Sequence, residues 1–193
     1  MLDHDIVKHA GEFKRYLDNH KYEVSDAGIE FPRARVAIFG EYEDNYGVTP
    51  NLVPTEGLNH ILMVALSNTA KLNNFYLALY SGNYTPTAAL TAANFAATAT
   101  EIVSGTEGYS DTTRRAWTPT ISADGVMDNY SAKATFTIAT ATQVTIRGAA
   151  LLSDSVKGAT TGVLISAAKF AQDRIEYNGN EYNLGYRVRA QAT

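Results

Sequence analysis

Regular alternation of apolar and polar side chains near the end of the chain constrains its fold most strongly. Between residues 181 and 190 the apolar side chains occupy every second position: Tyr182, Leu184, Tyr186, Val188 and Ala190. Arg187 and Arg189 stand between them. Because successive side chains of a strand point to opposite faces, this period of two predicts a strand with one buried face.

Two further alternating segments precede that strand. Phe136 and Ile138 alternate with threonines, and Val144 and Ile146 alternate with Thr145 and an arginine. The turn residues 140–142 lie between them, so we expect the two segments to pair as a hairpin. Many short strands at this spacing predict a mainly β fold, an antiparallel, jelly-roll-like β-sandwich.

The first half of the predicted β-rich domain, residues 31–193, contains a hairpin and one packed helix. Residues 35–53 combine β-branched and aromatic positions with turn residues at 44–47, which predicts the hairpin. The pattern of residues 56–67 predicts an α-helix, with Thr55 as its N-cap and Glu56 in its first turn. Its expected core face has apolar residues at helical spacing: Leu58, Ile61, Leu62, Ala65 and Leu66.

Other segments are predicted with less detail. Residues 75–80 are apolar on both faces, which favours a fully buried strand, and residues 88–97 could form a short helix around Leu90 and Phe95. Residues 1–30 are predicted to form an N-terminal arm. Apolar residues within it recur at three- and four-residue spacings typical of a short helix: Ile6, Ala10, Phe13 and Leu17. So short a helix needs a surface to pack on, which suggests an arm that orders on assembly.

Composition limits the classes of partner. The formal net charge is -4 and no run of Lys or Arg could neutralise successive phosphates, so we expect no nucleic-acid binding. The chain has no cysteine, which excludes disulfides and thiolate metal sites. The start shows no signal-peptide pattern, and the longest apolar stretch, residues 61–66, is far shorter than a bilayer span. We therefore expect no membrane insertion.

No residue pattern points to catalysis or to a cofactor. His4 and His9 are five positions apart, so they do not share a helical face, and neither His20 nor His60 stands in a metal-binding frame. The acidic residues near the predicted hairpin tip, in the range 41–47, match an EF-hand only in part. Nucleophile elbows and phosphate loops are absent from the sequence. The expectation is a protein that is not an enzyme and has no cofactor.

Six residues are candidates for contacts with a partner: Phe13, Leu17, Tyr109, Arg114, Arg115 and Trp117. The first two lie on the apolar stripe of the arm. The other four could line a sugar- or peptide-binding groove, because aromatic faces and guanidinium groups often act as binding hot spots. The alternative hypothesis, which we favour, is that Trp117 packs in the core while Asp111 or Glu107 neutralises an arginine.

Five blocks between about residues 56 and 172 carry a resemblance to a known group of proteins. They are residues 56–62, 75–86, 90–95, 107–119 and 157–170. In content and order these blocks resemble minor structural proteins of tailed bacteriophages, described as virion, head-decoration or tail proteins. The resemblance implies a place in the phage particle, and it transfers no functional residue because the group has no motif tied to a defined site.

The resemblance and the lack of catalytic motifs together predict a non-enzymatic structural protein of a tailed-phage virion, assembled in the bacterial host cytoplasm. The expected role is capsid decoration or minor capsid protein, as a homo-oligomer whose arm reaches a neighbour. Its partners would be other virion proteins, either the major capsid protein or neck and tail proteins. The alternatives are a neck, tail or baseplate component, and a receptor- or carbohydrate-binding module centred on Trp117.

Overall fold

The computed structural model divides the chain into two units, residues 1–37 with 191–193 and residues 38–190. It describes the backbone of residues 23–25, 28–30 and 36–192, and the side chains of residues 38–190. In the first unit, β1 (Glu23–Ser25) and β2 (Gly28–Glu30) pair antiparallel. The arm helix predicted around Phe13 and Leu17 lies outside the described residues.

Among the described residues that follow β2, two antiparallel sheets and two α-helices make the fold mainly β and sandwich-like, as predicted. The strands described in the first sheet are β3 (Val36–Asp44), β4 (Gly47–Pro50), β6 (Gly108–Tyr109), β8 (Thr120–Ala123), β9 (Val126–Asp128), β10 (Ala134–Ala139) and β13 (Glu181–Ala192). Those of the second are β5 (Phe75–Tyr80), β7 (Arg115–Trp117), β11 (Val144–Leu152) and β12 (Leu164–Glu176). The first sheet has the order β4-β3-β13-β10-β6, with β9 joined to β13 and β8 to β9, and the second has the order β12-β11-β5-β7.

The hairpin predicted over residues 35–53 is confirmed. β3 pairs antiparallel with β4 in a register that places Glu41 opposite Pro50 and Asp44 opposite Gly47. The Tyr46 backbone N–H donates to Asp44 Oδ1 at 2.7 Å, which closes the turn by the side-chain hydrogen bond that Asp favours there.

The prediction that the alternating segments 135–138 and 144–147 pair as a hairpin was wrong. β10 pairs with β13 and β6, whereas β11 pairs with β12 and β5, so the chain passes from one sheet to the other at residues 140–143. Glu107 holds this crossing, because its carboxylate accepts hydrogen bonds from Thr140 Oγ1 at 2.7 Å and from the Ala141 N–H at 3.1 Å. Strands that face one core from opposite sheets show the same alternation as strands that pair side by side.

The core lies between the two sheets. Its large buried residues come from both: Tyr42, Leu77, Leu79, Phe136, Ile146, Leu151, Tyr182, Leu184 and Tyr186. A second cluster, which includes Ala78, Tyr80, Leu90, Phe95 and Leu152, covers the other face of the second sheet. Alternate residues of β5 enter the two clusters, which confirms the prediction of a strand buried on both faces.

The two α-helices of residues 38–190 are α1 (Thr55–Leu66) and α2 (Ala92–Ala99). Pro54 is the N-cap of α1, so Thr55 is its first helical residue rather than its cap. α2 starts with a capping box, in which Asn94 Oδ1 accepts from the Thr91 N–H at 2.9 Å. No helix in the described part of the chain is both long and apolar enough to cross a membrane.

The core face predicted for α1 was wrong at Leu58, Leu62 and Leu66, which are exposed. Ile61, from the same predicted face, does lie toward the sandwich, beside Gly57 and Val64. Both sets have helical spacing, so the period could not choose between them. Backbone contact at Gly57 decides the orientation.

Candidate docking surface

The N-terminal turn of α1 is fixed against the second sheet. A Cβ atom at Gly57 would lie 2.5 Å from the Ile165 carbonyl oxygen, so the helix can approach β12 this closely only with glycine there. Glu56 Oε2 accepts hydrogen bonds from the Leu164 N–H and the Ala92 N–H, both at 2.8 Å. This carboxylate therefore joins α1 to β12 and to the start of α2.

The side of α1 that faces away from the sandwich carries mainly apolar side chains. Leu58 is 42% exposed, Leu62 55%, Met63 53% and Leu66 81%, and we call these four residues the outer face. Glu56 is the one acidic residue of α1, it is held by the contacts above, and α1 has no Lys or Arg. Helices that are apolar on all sides are usually buried on all sides. The outer face is thus a surface suited to contact with another protein.

A second apolar surface lies beside the inner side of α1. It is a pocket of about 420 Å³, which we call the mouth pocket, lined by residues of α1, the following loop and both sheets. Its main lining residues are Ile38, Ile61, Val64, Phe75, Trp117 and Val188. Among the described lining residues, His60, Lys71 and Tyr186 carry ionisable side chains, and the others are apolar or aromatic.

A smaller notch of about 240 Å³ adjoins the mouth pocket. Met127, Val188 and Ala190 line both. Ile121, which is 77% exposed, forms part of the notch. Together the pocket and notch form a continuous apolar depression on the 38–190 unit, with room for more than one large side chain.

Trp117, a predicted interaction residue, lies at the border between the core and the mouth pocket. Its ring packs edge-to-face on Tyr186 with centroids 5.4 Å apart, and its Nε1–H donates to the Tyr186 carbonyl oxygen at 3.1 Å. The side chain is partly buried against the core and lines the pocket. Trp117 thus packs against the core, as one hypothesis predicts, and also lines a pocket, as the other predicts. The pocket around it is apolar.

Arg114 is fully buried and connects three loops. Its Nε donates to Glu101 Oε1 at 2.7 Å and its Nη2 to Glu101 Oε2 at 2.8 Å, while Nη1 reaches the Asp154 carbonyl oxygen at 2.9 Å. The Gly158 N–H donates to Glu101 Oε2 at 2.9 Å. Such a bidentate pair, with both side chains out of water, holds the fold and offers no surface to a partner.

Tyr109 is also buried. Its ring contacts Phe136 edge-to-face at 5.0 Å, and Lys157 Nζ lies 3.4 Å above the ring centroid. Burial raises the pKa of the Tyr109 phenol and lowers the pKa of the Lys157 ammonium, because each charged form loses water. As placed, Tyr109 belongs to the core.

Arg115 lies nearer the surface, where it pairs with Asp111 at 2.7 Å. This confirms that Asp111 neutralises an arginine in this segment, whereas Glu107 serves the sheet crossing described above. Phe13 and Leu17, the other two predicted interaction residues, lie outside the described residues.

The acidic residues of the β3–β4 hairpin are occupied by cations of the fold. Glu41 pairs with Arg187 and Arg189, and Glu43 pairs with Lys133. Asp44 accepts from Arg174 Nε at 2.9 Å and from Tyr182 Oη at 2.7 Å. Within residues 38–190, no group of three or more His, Asp or Glu side chains is placed to hold a metal ion.

Sequence reasoning missed the outer face and the mouth pocket. A usable signal was present, because the α1 sequence is nearly free of charge and apolar on two sides. The pocket had no comparable signal, since its lining comes from segments spread between Ile38 and Ala190.

Comparisons with known proteins add no relative to this description. No protein-family model matches the sequence, and no curated protein matches it significantly.

Proposed function

We propose that this chain is a non-enzymatic structural protein of a tailed-phage virion, most simply a capsid-decoration or minor capsid protein. The outer face of α1 carries the proposal. A rigid β-sandwich that presents four large apolar side chains on a helix whose one acidic side chain, Glu56, is held by backbone N–H groups is suited to docking on another protein. The resemblance of residues 56–170 to minor virion proteins supplies the class of partner, a major capsid protein or a neck or tail protein.

The size of the outer face suits a protein that binds in many copies. Complete burial of a Leu or Met side chain stabilises a protein or a complex by roughly 1.5–3 kcal/mol. Because these four side chains are about half exposed, docking would gain about half of that amount from each. Their sum, on the order of 4 kcal/mol, is small beside the entropic cost of association. Attachment would therefore need additional contacts or several linked copies, as in the homo-oligomer that we propose.

A carbohydrate-binding role has less support. Sugar binding needs polar donors and acceptors beside the aromatic ring, but the pocket at Trp117 is lined almost wholly by apolar side chains. Arg114, the strongest donor in this segment, is buried against Glu101.

Copy number in purified virions tests the proposal. Quantitative mass spectrometry against the major capsid protein should find on the order of hundreds of copies for a decoration protein, as the symmetry of the head requires. About a dozen copies would instead indicate a neck, tail or baseplate ring. Absence of the chain from purified particles would refute the virion role.

A further inference from the structure

We propose that the mouth pocket of one copy receives the N-terminal segment, residues 1–22, of a second copy. The inference rests on the proposed function and deepens it, because it names the occupant of one apolar surface in the proposed homo-oligomer. The outer face of α1 then remains available for the rest of the particle.

The pocket has the size and chemistry for apolar side chains. An apolar cavity of about 150 Å³ already takes up a benzene molecule. A pocket of about 420 Å³ therefore has room for a phenylalanine ring together with a leucine side chain. Its apolar lining favours groups that carry no charge.

The sequence of the N-terminal segment offers a matching apolar stripe. Ile6, Ala10, Phe13 and Leu17 recur at helical spacing, and the positions between them include Lys8, Glu12, Lys14 and Arg15. A helix with this pattern could place Phe13 and Leu17 in the pocket while its charged side remains in water. So short a helix gains most of its stability from such a contact.

The attachment of the segment to the sandwich also points to this pocket. Residues 31–37 lead directly into Ile38, which lines the pocket, and this stretch can span at most about 25 Å. The 22 residues that precede Glu23, together with this stretch, give the segment enough length to reach the corresponding pocket of an adjacent copy.

Exchange between two copies provides the contact that a stable dimer needs. Each copy would contribute its own 22 segment residues and its own pocket lining, and a stable interface uses roughly 20–30 residues on each side. A reciprocal exchange of this kind has two-fold symmetry and closes on itself.

The mass in solution tests the exchange. Full-length protein should elute as an oligomer, and the variant Phe13→Ser with Leu17→Ser should fall to the 20.9 kDa of one chain. The matched control, Glu12→Ser with Arg15→Ser, removes two side chains from the opposite face of the predicted helix without changing the net charge, and it should keep the oligomer mass. A monomeric wild type, or an oligomer unchanged by the apolar variant, would overturn the inference.

Disulfide trapping tests where the segment lands, because the chain has no cysteine of its own. Leu17→Cys protein mixed with Met127→Cys or Ala65→Cys protein should give a disulfide-linked pair on mild oxidation, and mixing with Val156→Cys should not. Placing Leu17→Cys and Met127→Cys in one chain should again link two chains. A disulfide within one chain would overturn the exchange in favour of docking on the same copy. Virion copy number does not depend on either result, so it tests the proposed function separately.

Discussion

The buried ion pair between Arg114 and Glu101 allows a prediction whose magnitude follows from its contacts. In Arg114→Met, the Glu101 carboxylate would keep only the hydrogen bond from the Gly158 N–H, and the Asp154 carbonyl oxygen would lose its donor. Both side chains of the pair are fully shielded from water. Loss of one partner of such a pair leaves an uncompensated buried charge, which costs about 3–5 kcal/mol.

The same reasoning predicts a partial rescue. Adding Glu101→Gln to Arg114→Met removes the unpaired charge, while the amide oxygen can still accept from the Gly158 N–H. We therefore expect the double variant to be more stable than Arg114→Met alone. The resulting coupling energy should be about 1–3 kcal/mol, as measured for residues in direct contact.

Urea denaturation followed by far-UV circular dichroism provides the measurement. With a slope of about 2 kcal/mol per M, Arg114→Met should lower the unfolding midpoint by about 2 M. Arg115→Met is the matched control, because Arg115 pairs with Asp111 near the surface and should change stability by less than about 1 kcal/mol. Equal midpoints for Arg114→Met and wild type, or a double variant no better than the single one, would refute the reasoning.

Three further outcomes are expected. Trp117→Ala should lower the free energy of unfolding by about 2–4 kcal/mol in chemical denaturation, since its ring packs on Tyr186 but also borders the pocket; a shift near zero would show that the ring contributes no packing. Leu62→Asp should change thermal stability by less than about 0.5 kcal/mol because this side chain is exposed, and unfolding of this variant would restore the helix face predicted from sequence. For Asp128, burial raises the carboxyl pKa, but hydrogen bonds from Ser122, Tyr130 and Arg187 outweigh it and hold the pKa below 3.8. The ionised carboxylate therefore stabilises the fold above about pH 4, and this stabilisation is lost as the pH falls through the lowered pKa. Asp128→Asn lacks this titration, so its free energy of unfolding should fall less steeply with acidification than that of the wild type.

Predictions from the sequence were correct where a residue pattern is compatible with only one local structure. Alternation at Tyr182, Leu184 and Tyr186 required one buried face, and these three side chains are buried. The turn residues after Asp44 required a reversal, and β3 and β4 pair there. Residues 75–80 were apolar on both faces, and both faces are covered. In each case the pattern could be satisfied in only one way.

Predictions failed where two arrangements satisfy the same pattern. An apolar face at Phe136 and another at Val144 suit a hairpin as well as two facing sheets, and only long-range pairing selects the second. α1 has two apolar sides, and the close approach of Gly57 to Ile165 selects the side opposite Leu62.

The candidate site was harder to predict than the fold. Arg114 next to Arg115 suggests an exposed basic pair, yet Arg114 meets Glu101 in the interior. Nothing in the local sequence identifies that partner. The mouth pocket depends on residues from seven strands, from α1 and from the loop after it, so it exists only after the sheets have packed.

Rebinding to virions tests most directly the claim that the outer face of α1 docks the protein on a phage particle. Particles of the encoding phage that lack this protein would be incubated with recombinant wild type, with Leu62→Glu and Leu66→Glu combined, or with Val156→Glu, which changes an exposed apolar residue elsewhere. Bound protein is measured after sedimentation of the particles. Wild type and Val156→Glu should bind alike, and the outer-face variant, folded by circular dichroism, should lose at least about tenfold in affinity. Equal binding by all three proteins, or by none, would contradict the account.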